Sequence, residues 1–245
     1  MGLKGRLTKE RFAFSMPVDA PLYQAPPFYY KDIRAATFAY ETEADAVADL
    51  LPEPLEVSDP ATAVLSLIEY PWTTFGPYNE AILSVLCSHQ GRRISYITQI
   101  FLTTEAPLAA GREIWGIPKK LAHIEFTREN DHLMASVERP KGLQICTGVM
   151  RPERPVELGS NERTPTVCLR VIPSPEYGAP PSLAELIEIE SEQRPKELWE
   201  GPGSVHFTGA SELDPWHKLP VKTMRQCTYG VSDMDLGYGR VIEKL

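Results

Sequence analysis

Two adjacent lysines, Lys119 and Lys120, lie in a mostly apolar stretch of the chain, residues 111–126. Pro118 fixes its own φ and favours an extended conformation at Ile117, so this stretch is predicted to enter a strand. Consecutive side chains of a strand point to opposite faces, so one lysine can enter an apolar pocket while the other stays outside it. Burial disfavours the charged ammonium, and so does a second cation nearby. The pattern therefore indicates a neutral, nucleophilic amine that can condense with a ketone to form a Schiff base.

The residue types alone leave one alternative open, a pair of solvated lysines at the end of a strand. The wider sequence favours the chemical interpretation. Gly-Arg-Glu at 111–113, followed by Pro-Lys-Lys-Leu at 118–121, resembles the active-site segment of the acetoacetate decarboxylase family. The similarity extends from about residue 26 to the C-terminus. It includes three further motifs, Pro-Glu-Pro-Leu-Glu at 52–56, Trp-Glu-Gly-Pro at 199–202 and Leu-Pro-Val-Lys at 219–222.

This resemblance implies roles for several residues. Lys119 would be the Schiff-base nucleophile, Lys120 the neighbouring cation, and Glu80 a proton shuttle or an orienting carboxylate. From their residue types, Ile114, Trp115 and Ile117 are candidates for an apolar wall around the substrate, with ordinary core residues as the equal alternative. The family implies a carbon–carbon lyase that decarboxylates a small keto acid and uses no metal or organic cofactor.

Two positions depart from the family pattern. The arginine offered as a contact for the substrate carboxylate aligns with Ile33. Arg34 is the nearest substitute, but it lies on the opposite face of a strand unless a bulge intervenes. The second active-site glutamate aligns with Leu65, and Glu69, four residues on, could share its face.

These departures keep two alternatives open. Homologues on the same scaffold use the Schiff base for aldol condensation and dehydration, so an aldolase–dehydratase that joins pyruvate to an aldehyde is the first. A non-catalytic protein that binds a small molecule is the second. A pyridoxal-phosphate enzyme is disfavoured because no glycine-rich phosphate cradle precedes the lysines. Ser-His-Asp hydrolysis is disfavoured because the sequence has no Gly-x-Ser-x-Gly elbow.

Apolar periodicity predicts many strands and few helices. Residues 183–190 fit either a helix or a strand, and the resemblance favours a strand. Short helices are predicted at 43–51, capped by Thr42, and at 106–112. A hairpin is predicted at Gln90-Gly91-Arg92. The predicted strands span 31–41, 62–70, 79–89, 93–103, 132–138, 142–149, 166–172, 204–208, 222–231 and 238–243.

The predicted fold class is therefore β-rich α+β, with residues 31–245 as a single domain behind an extended N-terminal arm, residues 1–30. The family resemblance implies a cone-like, largely antiparallel β-barrel with few short helices, assembled into homo-oligomers. The 23 prolines agree with short strands and turns rather than long helices.

Composition restricts the partners. The formal net charge of −8 argues against nucleic acid, because no basic stripe is available to neutralise phosphates. The sequence has no apolar stretch long enough to span a membrane and no apolar region typical of a signal peptide, so a cytoplasmic protein is expected. The cysteines have no paired metal-site spacing and are predicted to be buried free thiols. They are Cys87, Cys146, Cys168 and Cys227.

Overall fold

The computed structural model describes residues 2–159 and 164–245. Strands dominate it because β-branched and aromatic residues alternate with polar ones over most of the chain. The seven longest members of the larger sheet are β1 (Phe28–Glu41), β3 (Thr62–Tyr70), β5 (Tyr78–His89), β6 (Arg92–Leu102), β12 (Thr166–Ile172), β13 (Leu183–Glu200) and β15 (Thr223–Lys244). Four short strands extend this sheet, namely β2 (Leu55–Val57), β4 (Trp72–Thr73), β7 (Lys119–Leu121) and β11 (Arg154–Pro155).

The pairings of the seven long strands return to their starting strand. They run in the order β5–β3–β1–β15–β13–β12–β6, and β6 pairs with β5 again. Six of these seven pairings are antiparallel, and the pairing of β6 with β12 is parallel. We call these seven strands the ring. One face of each strand is therefore turned towards a shared interior, and the other face is turned outwards.

A smaller sheet packs against the outside of the ring. Its strands are β8 (His123–Glu129), β9 (His132–Glu138), β10 (Gln144–Met150) and β14 (Gly203–Phe207). Phe38 and Leu67 of the ring share one hydrophobic core with Ala135 and Val137 of this sheet. A side chain at Gly148 would lie 2.6 Å from Leu67, so glycine allows the two sheets to approach closely. One core thus lies between the sheets, and a second core cluster, which includes Phe28, Ile100 and Trp115, is separate from it. The interior of the ring contains a cavity.

Helices are few and short. They are α1 (Ala44–Ala48), α2 (Glu105–Ala110), a π-helical turn (Gly111–Trp115) and two 3-10 turns, Lys9–Arg11 and Trp216–Lys218. The cap prediction was wrong, because Glu43 occupies the N-cap of α1 and makes no side-chain capping bond there. Thr42 lies one residue too early and has no hydrogen-bond partner for its hydroxyl among the described residues.

Most predicted strands agree with the structure to within two residues, and the ambiguous segment at 183–190 is a strand, the start of β13. The two strands predicted at 222–231 and 238–243 are one continuous strand, β15. The glycines in this stretch do not end the strand, because its neighbours supply the pairing. Gly230 is paired with Ala35 on one side and with Leu198 on the other.

The N-terminal segment is irregular apart from its 3-10 turn, and β1 begins at Phe28, three residues earlier than the predicted strand. The segment is fixed to its own chain. Ser15 donates its hydroxyl to the carbonyl of Tyr23, and the Tyr23 hydroxyl donates to Glu113 in the π-helical turn.

All four cysteines are buried and free, which confirms their prediction as buried thiols. Burial raises the pKa of the Cys87 thiol to about 12. Among the residues that the structure describes, no helix is both long and apolar enough to cross a membrane.

Candidate active site

Lys119 is the first residue of β7 and lies four residues beyond Trp115, where the π-helical turn ends. β7 pairs in parallel with β6, which places Lys119 opposite Ile100. Arg112 donates from Nη1 to the carbonyl of Lys119 across 3.2 Å. A side chain at Gly111 would lie 2.6 Å from Cδ of Lys119, so the turn runs directly against the lysine stem. The π-helical turn therefore fixes both the backbone and the side chain of Lys119.

Gly116 ends this turn in the left-handed conformation, with φ of 72°. A Cβ there would lie 2.3 Å from Cα of Arg170, so the position is closed to larger residues both by conformation and by space. Glycine at 116 is thus what allows the chain to reverse between the helix and the lysine strand.

Glu80 contacts Lys119 directly. Its Oε1 lies 2.8 Å from Nζ of Lys119, and the two side chains are only 5% and 7% exposed. Its other oxygen, Oε2, accepts a hydrogen bond of 3.0 Å from the hydroxyl of Tyr70. Glu80 is held by β5 and Tyr70 by the neighbouring β3, so pairing of these strands sets the geometry. The structure thus brings two of the predicted catalytic residues, Lys119 and Glu80, together.

Three tyrosines surround this ion pair, and the sequence analysis did not identify them. The rings of Tyr70 and Tyr30 are 5.1 Å apart, and those of Tyr70 and Tyr78 are 4.6 Å apart. The Tyr78 hydroxyl donates to that of Tyr30 across 3.4 Å. Burial raises the pKa of Tyr30 and Tyr78 above the usual range, and the nearby Glu80 carboxylate raises both further. These hydroxyls therefore keep their protons and remain hydrogen-bond donors at any ordinary pH.

A weak signal for this cluster exists in the sequence. Tyr78 and Glu80 are two residues apart on one strand and so share a face, and Tyr70 ends the preceding strand. What the sequence could not supply is that Tyr30 arrives from β1 beside them, because that depends on which strands are neighbours.

Lys119 and Glu80 line a cavity of about 700 Å³ in the interior of the ring. Ile117, predicted as part of an apolar wall, also lines it. The cavity is lined by inward-facing residues of β1, β3, β5, β6, β13 and β15. Among the described lining residues, Lys119 is the one cation.

Lys120 points away from this cavity. Its ammonium donates to Oδ1 of Asp214 across 3.0 Å and also donates to the carbonyl of Leu213. Asp214 additionally accepts hydrogen bonds of 3.1 Å from Nε of Arg139. The structure therefore places Lys120 in a compensated ion-pair cluster on the other face of β7, not beside the Lys119 amine as a bare charge.

Arg34 also lies outside the cavity. It donates to Glu69 across 3.0 Å, and Glu69 accepts a second bond of 2.8 Å from Arg128. Its neighbours Ile33 and Ala35 line the cavity, so Arg34 faces outwards. The structure does not place Arg34 where it could contact a substrate. β1 has a register shift between Tyr30 and Ile33, but this irregularity does not turn Arg34 inwards.

The remaining predicted positions also face outwards or lie deeper in the core. Leu65 is fully buried in the core between the two sheets, and Glu69 shares its outward face. Trp115, predicted as part of a substrate wall, is 1% exposed and packs against Phe28 with ring centroids 5.9 Å apart. Trp115 does not line the cavity; it supports the turn that leads to Ile117.

Within residues 2–159 and 164–245, no group of three or more His, Cys, Asp or Glu side chains is arranged to hold a metal ion. The chemistry that the arrangement offers is that of a buried amine, a carboxylate in contact with it, and tyrosine donors.

The sequence model of the acetoacetate decarboxylase (ADC) family matches residues 15–245 of this chain. The chain belongs to the acetoacetate decarboxylase family. Among curated proteins, acetoacetate decarboxylase 1 of Mesorhizobium japonicum is 32% identical to it over 236 residues, which covers 94% of each chain.

The fold agrees with this membership. The crystal structure of acetoacetate decarboxylase from Legionella pneumophila superposes with a TM-score of 0.87 at 28% identity, covering 100% of this chain and 99% of that one. The enduracididine biosynthesis enzyme MppR, in complex with pyruvate, has a TM-score of 0.80 at 17% identity, covering 96% of this chain and 98% of its own. The family prediction from the double-lysine motif is thus confirmed, as is a β-rich fold with few helices.

Proposed function

We propose that the protein is a lyase that decarboxylates a 3-oxo acid through a Schiff base on Lys119. The observation that carries this proposal is the lysine amine buried in the cavity, 2.8 Å from the carboxylate of Glu80. The membership of the decarboxylase family supports it.

Glu80 supplies a route to the neutral amine that needs no neighbouring cation. Transfer of one proton from Lys119 to Glu80 converts an ion pair into a neutral amine and a neutral acid. Burial favours the neutral pair relative to water, because both charges lose hydration in the cavity. Lys120 then has a structural role through Asp214, and its predicted role as the activating charge stays a prediction.

The steps follow from these two groups. The Lys119 nitrogen attacks the ketone carbon, and the carbonyl oxygen leaves as water after it gains protons, which Glu80 is positioned to deliver. The resulting protonated imine accepts the electron pair of the breaking carbon–carbon bond as carbon dioxide departs, and an enamine forms. Protonation of the enamine carbon and addition of water then release the ketone and restore the amine.

The tyrosines have a complementary role in this scheme. Tyr70 orients Glu80 through its 3.0 Å hydrogen bond, and Tyr30 and Tyr78 present protonated hydroxyls to the same space. No arginine lines the described part of the cavity, so hydroxyl donors are the groups available to a substrate carboxylate. A carboxylate held by neutral donors is less stabilised than one held by a cation, which favours its loss as carbon dioxide.

Borohydride trapping tests the proposal. The protein is incubated with acetoacetate, reduced, and read by intact mass and peptide mapping. We expect an acetone-sized adduct on Lys119, absent in Lys119→Ala and retained in Lys120→Ala. An adduct that persists in Lys119→Ala would show that another residue is the nucleophile.

Aldol condensation and dehydration is the alternative function, because the described part of the cavity has no arginine for the carboxylate of a 3-oxo acid. The same trap separates the two reactions. A pyruvate-sized adduct on Lys119, with acetoacetate inert, would assign aldol condensation and dehydration. Absence of an adduct with either acid would favour the non-catalytic binding protein.

We further propose that the ring is the cone-like barrel of one domain, residues 31–245, and that the chain forms homo-oligomers. The closed circuit of strand pairings supports the barrel. Exposed apolar side chains in the N-terminal segment, among them Phe12 and Phe14, support an interface with another copy. Light scattering coupled to size exclusion tests the oligomer, and limited proteolysis tests the domain.

A further inference from the structure

The cavity that contains Lys119 is much larger than a small keto acid needs. A four-carbon keto acid fills roughly 200 Å³, taking about 30 Å³ for each of its water-sized groups. The cavity has about 700 Å³, within the range of roughly 300–1,000 Å³ that is typical of sites for drug-sized ligands. The lysine therefore occupies one part of a space that extends well beyond it.

The extra space runs along the strands. On β5, Glu80, Ile82, Ser84 and Leu86 all line the cavity, at every second residue. A strand advances about 3.4 Å per residue, so these four positions span roughly 20 Å. At about 1.5 Å per carbon–carbon bond, that distance accommodates an extended chain of more than ten carbons.

The reactive pair lies in the least exposed part of the cavity. Lys119 and Glu80 are 6% and 4% exposed, whereas Leu158, which also lines the cavity, is 46% exposed. Other exposed lining residues are Glu157, Gln193 and Gln226. A substrate whose keto acid reaches the buried amine therefore keeps its remainder in the more open part of the cavity.

The middle of the path is suited to an apolar chain. Its walls carry the aliphatic side chains of Val64, Ile82 and Ile97. Four of the lining hydroxyls are partnered in pairs: Ser95 donates to Ser84 across 3.1 Å, and Thr37 and Ser66 lie 3.3 Å apart. An apolar chain over these hydroxyls breaks no hydrogen bond, so it buries its surface without an opposing polar cost.

From this geometry we propose that the substrate is a 3-oxo acid with an extended, uncharged apolar tail, not the four-carbon acid. The inference rests on the proposed function and specifies its substrate class. Exposed Glu157 and Glu197 near the opening carry negative charge, so a second carboxylate at the end of the tail is disfavoured.

The test compares acids of increasing length on the wild-type protein. Acetoacetate, 3-oxohexanoate and 3-oxodecanoate are assayed for kcat/KM by carbon dioxide release, with borohydride trapping in parallel. Each buried methylene is expected to raise kcat/KM about fourfold, so 3-oxohexanoate should exceed acetoacetate by about fifteenfold. A series that is flat or falls with length overturns the inference.

A cavity-filling variant tests where the apolar tail of the substrate binds. Val64→Trp fills the middle of the cavity and should lower the ratio of kcat/KM for 3-oxodecanoate over acetoacetate by at least about tenfold. Val171→Trp is the matched control, because Val171 is 46% exposed and does not line the cavity, and the ratio should not change. An unchanged ratio in folded Val64→Trp overturns the inference.

The outcomes separate this inference from the function that it rests on. An acetoacetate adduct on Lys119 together with no preference for longer acids overturns the apolar tail and leaves the decarboxylase. Absence of an adduct with all three acids overturns both.

Discussion

Replacing Glu80 by glutamine should make the stability of the protein depend on pH in a way that the wild type does not. The Lys119–Glu80 pair is almost fully buried, with side chains 7% and 5% exposed. In the wild type each of the two buried groups has its counter-ion in contact. In Glu80→Gln the buried lysine has no counter-ion and is expected to lose its proton on folding.

The magnitude follows from the proton count. The pKa of a lysine in an unfolded chain is about 10.4. Removing its proton on folding therefore lowers the free energy of unfolding by about 4.6 kcal/mol at pH 7, at about 1.36 kcal/mol per pH unit. This agrees with the roughly 3–5 kcal/mol usual for breaking a buried pair. The unfolded variant binds one more proton than the folded one, so its stability rises with pH. Between pH 7 and pH 9 the variant should regain about 2.7 kcal/mol relative to wild type.

The assay is urea unfolding of wild type and Glu80→Gln at pH 7, 8 and 9. The control is Glu69→Gln in the adjacent strand, whose carboxylate pairs with Arg34 and Arg128 outside the ring. That change should cost only about 1 kcal/mol, independent of pH in this range. Parallel curves for Glu80→Gln and wild type would refute the reasoning, because they would mean that the lysine stays charged and solvated.

Lys119→Met supplies the mirror experiment. Glu80 then lacks its partner, so in the folded variant its buried carboxyl is expected to stay protonated. In the unfolded chain the same carboxyl loses its proton above about pH 4.3, and the free energy of unfolding therefore falls as pH rises above that value. At pH 7 the free energy of unfolding is lowered by about 3.7 kcal/mol. The double variant should again be independent of pH, since neither charge is left, and a slope retained in the double variant would contradict the assignment to this pair.

Three further predictions concern the surroundings of the pair. Tyr70→Phe removes the donor to Glu80 Oε2 and should cost about 1–3 kcal/mol in urea unfolding, with a fall in kcat; unchanged stability would contradict a buried, oriented carboxylate. Lys120→Met removes a cation that Asp214 compensates, so trapping and kcat/KM should change less than about threefold; a large shift of the pH–rate profile would restore its activating role. Gly111→Ala places a methyl group within 2.6 Å of the lysine stem and should lower kcat/KM by at least about tenfold, whereas Gly237→Ala, which meets only ordinary contacts, should not.

Much of the architecture was accessible from the sequence. Alternation of apolar residues predicted most strands, because side chains of a strand have a period of two whatever its neighbours are. The turn at Gln90 and Gly91 was predicted from residue types, and both have positive φ in the structure. The fusion of two predicted strands into β15 was not predicted, because it depends on pairing with distant strands. The smaller sheet was not predicted either, because β8 was missed and because β14 joins the sheet from a distant segment.

Some features of the candidate active site were also predictable from the sequence, and others were not. The residue pattern alone established the family, through a double lysine after Gly-Arg-Glu and a glutamate on an earlier strand. It also determined that Lys119 and Lys120 face opposite ways, because that follows from the period of a strand. It could not determine which of two faces is turned to the interior, since a shift of one residue exchanges them.

The partners of these side chains depend on how distant strands pair. Pairing of β5 with β3 and β6, and of β6 with β7, brings Glu80 to Lys119 and Tyr70 to Glu80. The pairing of β1 with β3 and β15 leaves Arg34 outside the cavity. Lys120 meets Asp214 for a similar reason, because its partner arrives from a distant loop. Local sequence fixes side-chain direction through backbone geometry, whereas charge compensation and cavity shape arise from contacts between remote strands, which no short motif encodes.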